Sequence, residues 1–96
     1  MTSARLTIRN PSGLHARPAA LFVRTAGRFR SKISVANPAA GKGPVDAKSI
    51  LSVLTLGVST GTEIEVAADG EDAEAAIDAI RQAVADGLGE NVGGTE

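Results

Sequence analysis

Apolar and polar residues alternate along four short stretches of the chain and recur at helical spacing along three others. Ala4 to Arg9 alternates, with Leu6 and Ile8 on one face, and predicts a half-buried strand. Asn10-Pro11-Ser12-Gly13 is a turn signal. A helix follows over His15 to Gly27, because Pro18 is tolerated only in a first helical turn. Its apolar stripe is Ala19, Phe22, Val23 and Ala26, and Gly27 suits a left-handed helix end. Lys32 to Ala36 alternates again, with Ile33 and Val35 inward. Asn37 to Pro44 reads as a Pro/Gly loop, and Val45 falls in a short strand after it. Ser49 is a candidate N-cap for the apolar segment Ile50 to Leu56, which Gly57 stops. Glu63 to Ala67 predicts a further strand with Ile64 and Val66 inward. Asp69 is the expected cap of a last helix, in which Ala73, Ala76, Ile77, Ile80 and Val84 recur before Gly87 ends it. Residues 91–96 read as a loose tail after a domain spanning residues 1–90.

The resulting order, βαββαβα, fits an α+β fold with helices over one face of a single sheet. Strand spacing does not give the pairing order. No repeat or linker divides the 96 residues, which hold one core. That core is aliphatic, since Phe22 and Phe29 are the only aromatic residues. The absence of Cys excludes disulfides, thiolate nucleophiles and cysteine-metal sites, and a single His excludes a two-histidine metal motif. No metal or cofactor is expected. No apolar run approaches the ~18 residues of a membrane span, and no signal-peptide pattern opens the chain. A cytoplasmic protein without membrane insertion is the expectation.

A net charge of -1 hides an asymmetry. Residues 1–48 carry nine Lys or Arg against Asp46 alone, and residues 49–96 carry ten acids against Arg81. Either the two halves pair across the fold, or a basic patch steers an acidic partner. Nucleic acid is not expected as that partner, because there is no basic block and no surface aromatic residue is expected to stack on bases.

The second helix is too apolar for an ordinary surface helix. Val53 and Leu56 lie on one face and Ile50, Leu51 and Leu54 on another, and only one of these faces can pack on the sheet. The other is expected to form an exposed apolar patch that marks a partner surface.

The segment that carries candidate chemistry is Gly13-Leu14-His15-Ala16-Arg17-Pro18. His15 falls at or beside the N-cap of the first helix, where free N–H groups and the positive dipole end favour an anion. Pro18 has no N–H to lose, which leaves those of Ala16 and Arg17 to face a ligand. Arg17 adds a guanidinium suited to phosphate oxygens. A neutral imidazole at that point is a nucleophile able to accept a phosphoryl group. The plain alternative is a capping or surface His. Arg17, Arg24 and Arg28 fall on one helical stripe away from Phe22 and Ala26, which reads either as a solvated face or as a docking stripe. Ser49 reads either as a helix cap or as a phosphorylation site that would put charge beside the apolar patch. Gly41-Lys42-Gly43 lacks the spacing of a phosphate loop and reads as a hairpin.

Asn10-Pro11-Ser12-Gly13-Leu14-His15-Ala16-Arg17-Pro18-Ala19 closely resembles the active-site signature of the HPr family, histidine-containing phosphocarriers of the phosphoenolpyruvate-dependent sugar phosphotransferase system. Ala47-Lys48-Ser49-Ile50-Leu51-Ser52-Val53-Leu54 resembles that family's regulatory serine motif. The resemblance spans about residues 3–90, including the Gly-Leu-Gly-Glu ending at Glu90. It implies an open-faced β-sandwich, a four-stranded antiparallel sheet covered on one face by three helices. It implies that His15 takes a phosphoryl group on Nδ1 from phosphorylated enzyme I and passes it to the A component of an enzyme II. Arg17 would assist, with Ser12 and the N–H groups of Ala16 and Arg17 holding the phosphate. Partners would dock on Ile50, Leu51 and Leu54, with Ala20, Leu21, Arg24, Arg28 and Lys48 around them. The resemblance also implies a monomeric, stoichiometric carrier rather than an enzyme. It implies an ATP-dependent HPr kinase/phosphorylase acting on Ser49 and a catabolite-control regulator that recognises the product. Related domains serve nitrogen regulation or dihydroxyacetone kinase, and a purely regulatory module is a further alternative. The Asn37 to Pro44 loop is longer than the family's usual hairpin by a few residues.

Overall fold

The computed structural model describes residues 1–90. Its elements are β1 (Thr2–Thr7), α1 (Ala16–Gly27), β2 (Lys32–Asn37), β3 (Lys42–Asp46), α2 (Ile50–Leu54), β4 (Glu63–Asp69) and α3 (Ala73–Ala85), with one 3-10 turn at Pro38–Ala40 between β2 and β3. The strands form one antiparallel sheet in the order β1-β4-β2-β3. The register places like faces together, as alternation demands. Leu6 lies opposite Ile64 and Ala4 opposite Val66; Val66 in turn faces Val35, and Val35 faces Val45. All three helices cover the face that carries these residues, which gives the open-faced α+β sandwich expected. α1 packs between α2 and α3, while α3 lies over β1 and β4.

The core is built where the periodicities cross. Ile33, Val35, Ile64, Val66 and Ala68 from the sheet meet Ala19, Phe22 and Ala26 of α1, Val53 of α2, and Ala76, Ile77 and Ile80 of α3. Val23, expected in the buried stripe, is only half-buried at the edge of this cluster. β1 runs two residues earlier than expected, and Ile8 beyond it remains fully buried. α2 ends at Leu54 rather than Leu56, although Leu56 still turns inward. The segment between β2 and β3 is more ordered than a loop, with Val45 paired as expected.

Two expected helix ends are corrected. Gly27 is the last residue of α1 and not a left-handed stop: Arg28 stays right-handed. Two of the last carbonyls are satisfied another way, by Arg28 N–H to Thr25 O (3.2 Å) and Phe29 N–H to Ala26 O (3.3 Å), and just beyond the helix the Lys48 ammonium donates to Phe29 O (2.7 Å). Asp69 is the final residue of β4, paired with Lys32, because the inward alternation continues through buried Ala68. The N-cap of α3 is Asp72. Gly57 does take a left-handed φ of 63° after α2. α3 closes in a Schellman turn, in which Leu88 N–H bonds to Ala83 O and Gly87 N–H to Val84 O, both at 3.0 Å. The expected tail, residues 91–96, lies outside the described residues. Among the described residues no helix is long and apolar enough to cross a membrane.

Candidate functional site

The loop between β1 and α1 is pinned from below. Gly13 has φ +63°, and a Cβ there would collide with the Val58 carbonyl oxygen, so only glycine lets the loop lie this close. Leu14 is buried, and its N–H donates to the same Val58 carbonyl at 3.0 Å. Asn10 is fully buried, with Nδ2 donating to Gly13 O at 2.9 Å and to Glu90 Oε1 at 3.1 Å.

These anchors turn His15 outward. It is exposed, extended (φ -128°, ψ 155°), and stands at the N-cap of α1. Its side chain makes no capping hydrogen bond, so the reading of His15 as a plain cap does not hold. Ala16 enters the helix at φ +49°, a left-handed conformation that costs an alanine roughly 1–2 kcal/mol. The sequence held no sign of it. Among the described residues, the N–H groups of Ala16 and Arg17 meet no protein acceptor, and the first bond into the helix is the long Ala19 N–H to His15 O at 3.5 Å. Exposed His15 and Arg17 thus flank a helix entrance with spare donors, as the spacing predicted.

Ser12 is on the same loop, but its donors are engaged. Glu90 accepts from Ser12 N–H at 3.0 Å and from Ser12 Oγ at 2.8 Å. The Asn10 amide, followed by the two Ser12 donors, holds the Glu90 carboxyl below its ordinary value against the opposing effect of burial, and the Arg17 charge adds a smaller contribution. Sequence reasoning missed Glu90 and Asn10, because their contact joins residues 80 positions apart. The glycines that flank Leu88 were the available signal. They permit the run of positive φ at Gly87, Leu88 and Gly89 that brings Glu90 back to the loop.

Arg24 and Arg28 follow Arg17 along the exposed side of α1. None of the three is in an ion pair among the described residues, where the pairs are Arg5 with Glu63 and Glu65, and Arg81 with Asp78. Most of the basic half is therefore not neutralised by the acidic half, and the stripe stays available to an acidic surface. Ala20 and Leu21 are half-buried beside it. Lys48 is half-buried, its ammonium donating to Phe29 O just beyond α1. On α2, Val53 is fully buried, while Ile50, Leu51 and Leu54 are 38%, 75% and 38% exposed, as the two-faced wheel required. Since α1 and α2 are packed side by side, the basic stripe and the apolar patch belong to neighbouring helices. Ser49 caps α2, accepting from Ser52 N–H at 3.3 Å.

Fold and site define an open-faced sandwich that presents one exposed histidine at a helix entrance. A family model for the PTS HPr component phosphorylation site matches residues 2–86. The phosphocarrier protein HPr of Streptomyces coelicolor is 43% identical over 90 residues, covering 94% of this chain and 95% of that protein. A multiphosphoryl transfer protein of Haemophilus influenzae is 46% identical over 86 residues, 90% of this chain but 17% of its own length. The chain thus spans less than a quarter of the length of the multiphosphoryl transfer proteins it matches. The crystal structure of HPr-C-His from Thermoanaerobacter tengcongensis superposes with a TM-score of 0.89 at 42% identity, covering 96% of this chain and 100% of that one. The chain belongs to the HPr family of phosphotransferase-system phosphocarriers.

Proposed function

We propose that His15 is the phosphoryl acceptor, charged on Nδ1 by phosphorylated enzyme I and discharged to the A component of a sugar-specific enzyme II. The observation that carries this reading is the exposed, uncapped His15 side chain beside the unpartnered N–H groups of Ala16 and Arg17. In each step the N–P bond of the donor histidine breaks as the lone pair of the acceptor nitrogen forms a new one. No water enters, and the donor imidazole leaves neutral. Such a transfer depends mainly on positioning and on neutralising the phosphoryl oxygens, which the helix entrance and Arg17 supply. The protein is a stoichiometric carrier: its partners provide the second half of each transfer site. It works in the cytoplasm as a monomer, docking through Ile50, Leu51 and Leu54 with Arg24 and Arg28 beside them.

Incubation with enzyme I and phosphoenolpyruvate tests the reading. An acid-labile phosphoryl adduct that disappears in His15→Ala is expected, and no adduct in the unsubstituted protein sinks it.

A regulatory role at Ser49 is favoured by one observation: the cap hydroxyl lies directly before the exposed Ile50 and Leu51. Phosphorylation by an ATP-dependent kinase/phosphorylase would place about -1.5 to -2 charges there and disturb docking without entering the core. A catabolite-control regulator would read that form. An acid-stable adduct formed with ATP and lost in Ser49→Ala is expected.

A further inference from the structure

Glu90 is held at the histidine loop by more than its own hydrogen bonds. Leu88, two residues before it, is buried, and the Schellman turn fixes the path out of α3. Gly89 passes so close to α1 that a Cβ on it would come within 2.8 Å of Leu21 Cδ1. The carboxylate is therefore delivered to Ser12 by a packed turn, and it occupies both donors of that residue as well as the Asn10 amide. Its ionised form is favoured there by those donors and by the charge of Arg17.

Resting on the phosphocarrier reading of His15, we infer that Glu90 is a positioning residue that acts as an internal anion: it engages the Ser12 donors while His15 is bare, and so weakens the hold on a phosphoryl group. Ser12 lies three residues before His15 on one pinned loop. A phosphoryl group on His15 brings about two negative charges to that loop. Either the Ser12 donors leave Glu90 for the new anion, or the two anions stand close together, and both outcomes cost the charged form. The carboxylate thereby raises the tendency of phosphorylated His15 to give its group away. It closes on Ser12 again once the group has left.

The test is the equilibrium between charged and bare protein at a fixed phosphoenolpyruvate-to-pyruvate ratio with enzyme I, for the unsubstituted chain and for Glu90→Gln. The amide keeps the side-chain shape and removes the charge. The charged fraction relative to the bare one should rise about three- to tenfold in Glu90→Gln, and the difference should shrink at high salt. Melting temperatures of the two proteins report the structural part of the clasp, which by itself moves stability and leaves this ratio alone. Should Glu90→Gln fold poorly, Glu90→Asp provides the second measurement. It keeps the charge, and its ratio should stay nearer that of the unsubstituted protein. A ratio unchanged in Glu90→Gln, or moved toward the bare form, overturns the inference. Failure of the unsubstituted protein to be charged at all overturns the phosphocarrier reading instead.

Discussion

Asp72 grips Ser31 across the junction of α1 and β2. Its Oδ1 accepts from the Ser31 N–H at 2.9 Å and from the Ser31 hydroxyl, while Oδ2 accepts from the Arg30 N–H at 2.8 Å. One carboxylate thus ties the start of α3 to the loop that leads into the centre of the sheet. The Ser31 hydroxyl, followed by the Arg30 N–H, holds the Asp72 carboxyl below its ordinary value of 3.8.

The sign of the pH effect follows. A carboxyl whose pKa is lower in the folded state contributes stability that is complete above its unfolded value and is lost as pH falls through the folded one. Asp72→Ala should therefore melt at a lower temperature at neutral pH. The gap should narrow on acidification below 3.8. Thermal melts over a pH series measure it, and a gap that persists undiminished into strong acid would mean the ionised form is not what stabilises the junction.

Gly13 and Gly41 both take positive φ, but only Gly13 has backbone against it. Gly41→Ala should cost about 1 kcal/mol, the conformational penalty alone. Gly13→Ala adds a collision with the Val58 carbonyl and should cost about 3 kcal/mol or more. Denaturant titrations of the two variants separate these contributions; equal losses would contradict the close approach.

If His15 carries the phosphoryl group as proposed, Arg17→Glu should slow the transfer about a hundredfold, since a guanidinium beside it is replaced by a repelling charge. Arg17 is exposed and makes no ion pair among the described residues, so the melting curve should hardly move. Transfer rates from phosphorylated enzyme I decide it, with an unimpaired rate as the adverse result.

The two faces of α2 predict opposite consequences. Val53→Ala, at a fully buried position, should cost about 2 kcal/mol of stability. Leu51→Asp, at a position 75% exposed, should stay within about 0.5 kcal/mol of the parent yet weaken binding to enzyme I by tenfold or more. A Leu51→Asp protein that binds normally would remove the patch from the docking surface.

Most of the elements were legible in the residues, because each depends on a local period. Alternation at Ile33/Val35 and Ile64/Val66 and the 3.6-residue recurrence in α3 report which side must face inward, whatever lies opposite. Ser49 as a cap and the outward face of α2 were legible for the same reason. Helix and strand ends were less so. Whether Gly27 turns left-handed depends on the path the chain takes after α1, and Lys48, which holds that path through Phe29 O, lies 19 positions from Phe29. Asp69 looked like a cap until Ala68 found a buried place in the sheet.

The sequence by itself determined that a histidine stands at a helix entrance with Arg17 beside it, since Pro18 limits where the helix can begin. It did not contain the order β1-β4-β2-β3, the left-handed Ala16 or the Glu90 carboxylate on Ser12. Those features belong to no local period. They arise when segments far apart in the chain compete for the same space and the same hydrogen-bond donors, and only the closed tertiary structure brings them close enough to do so.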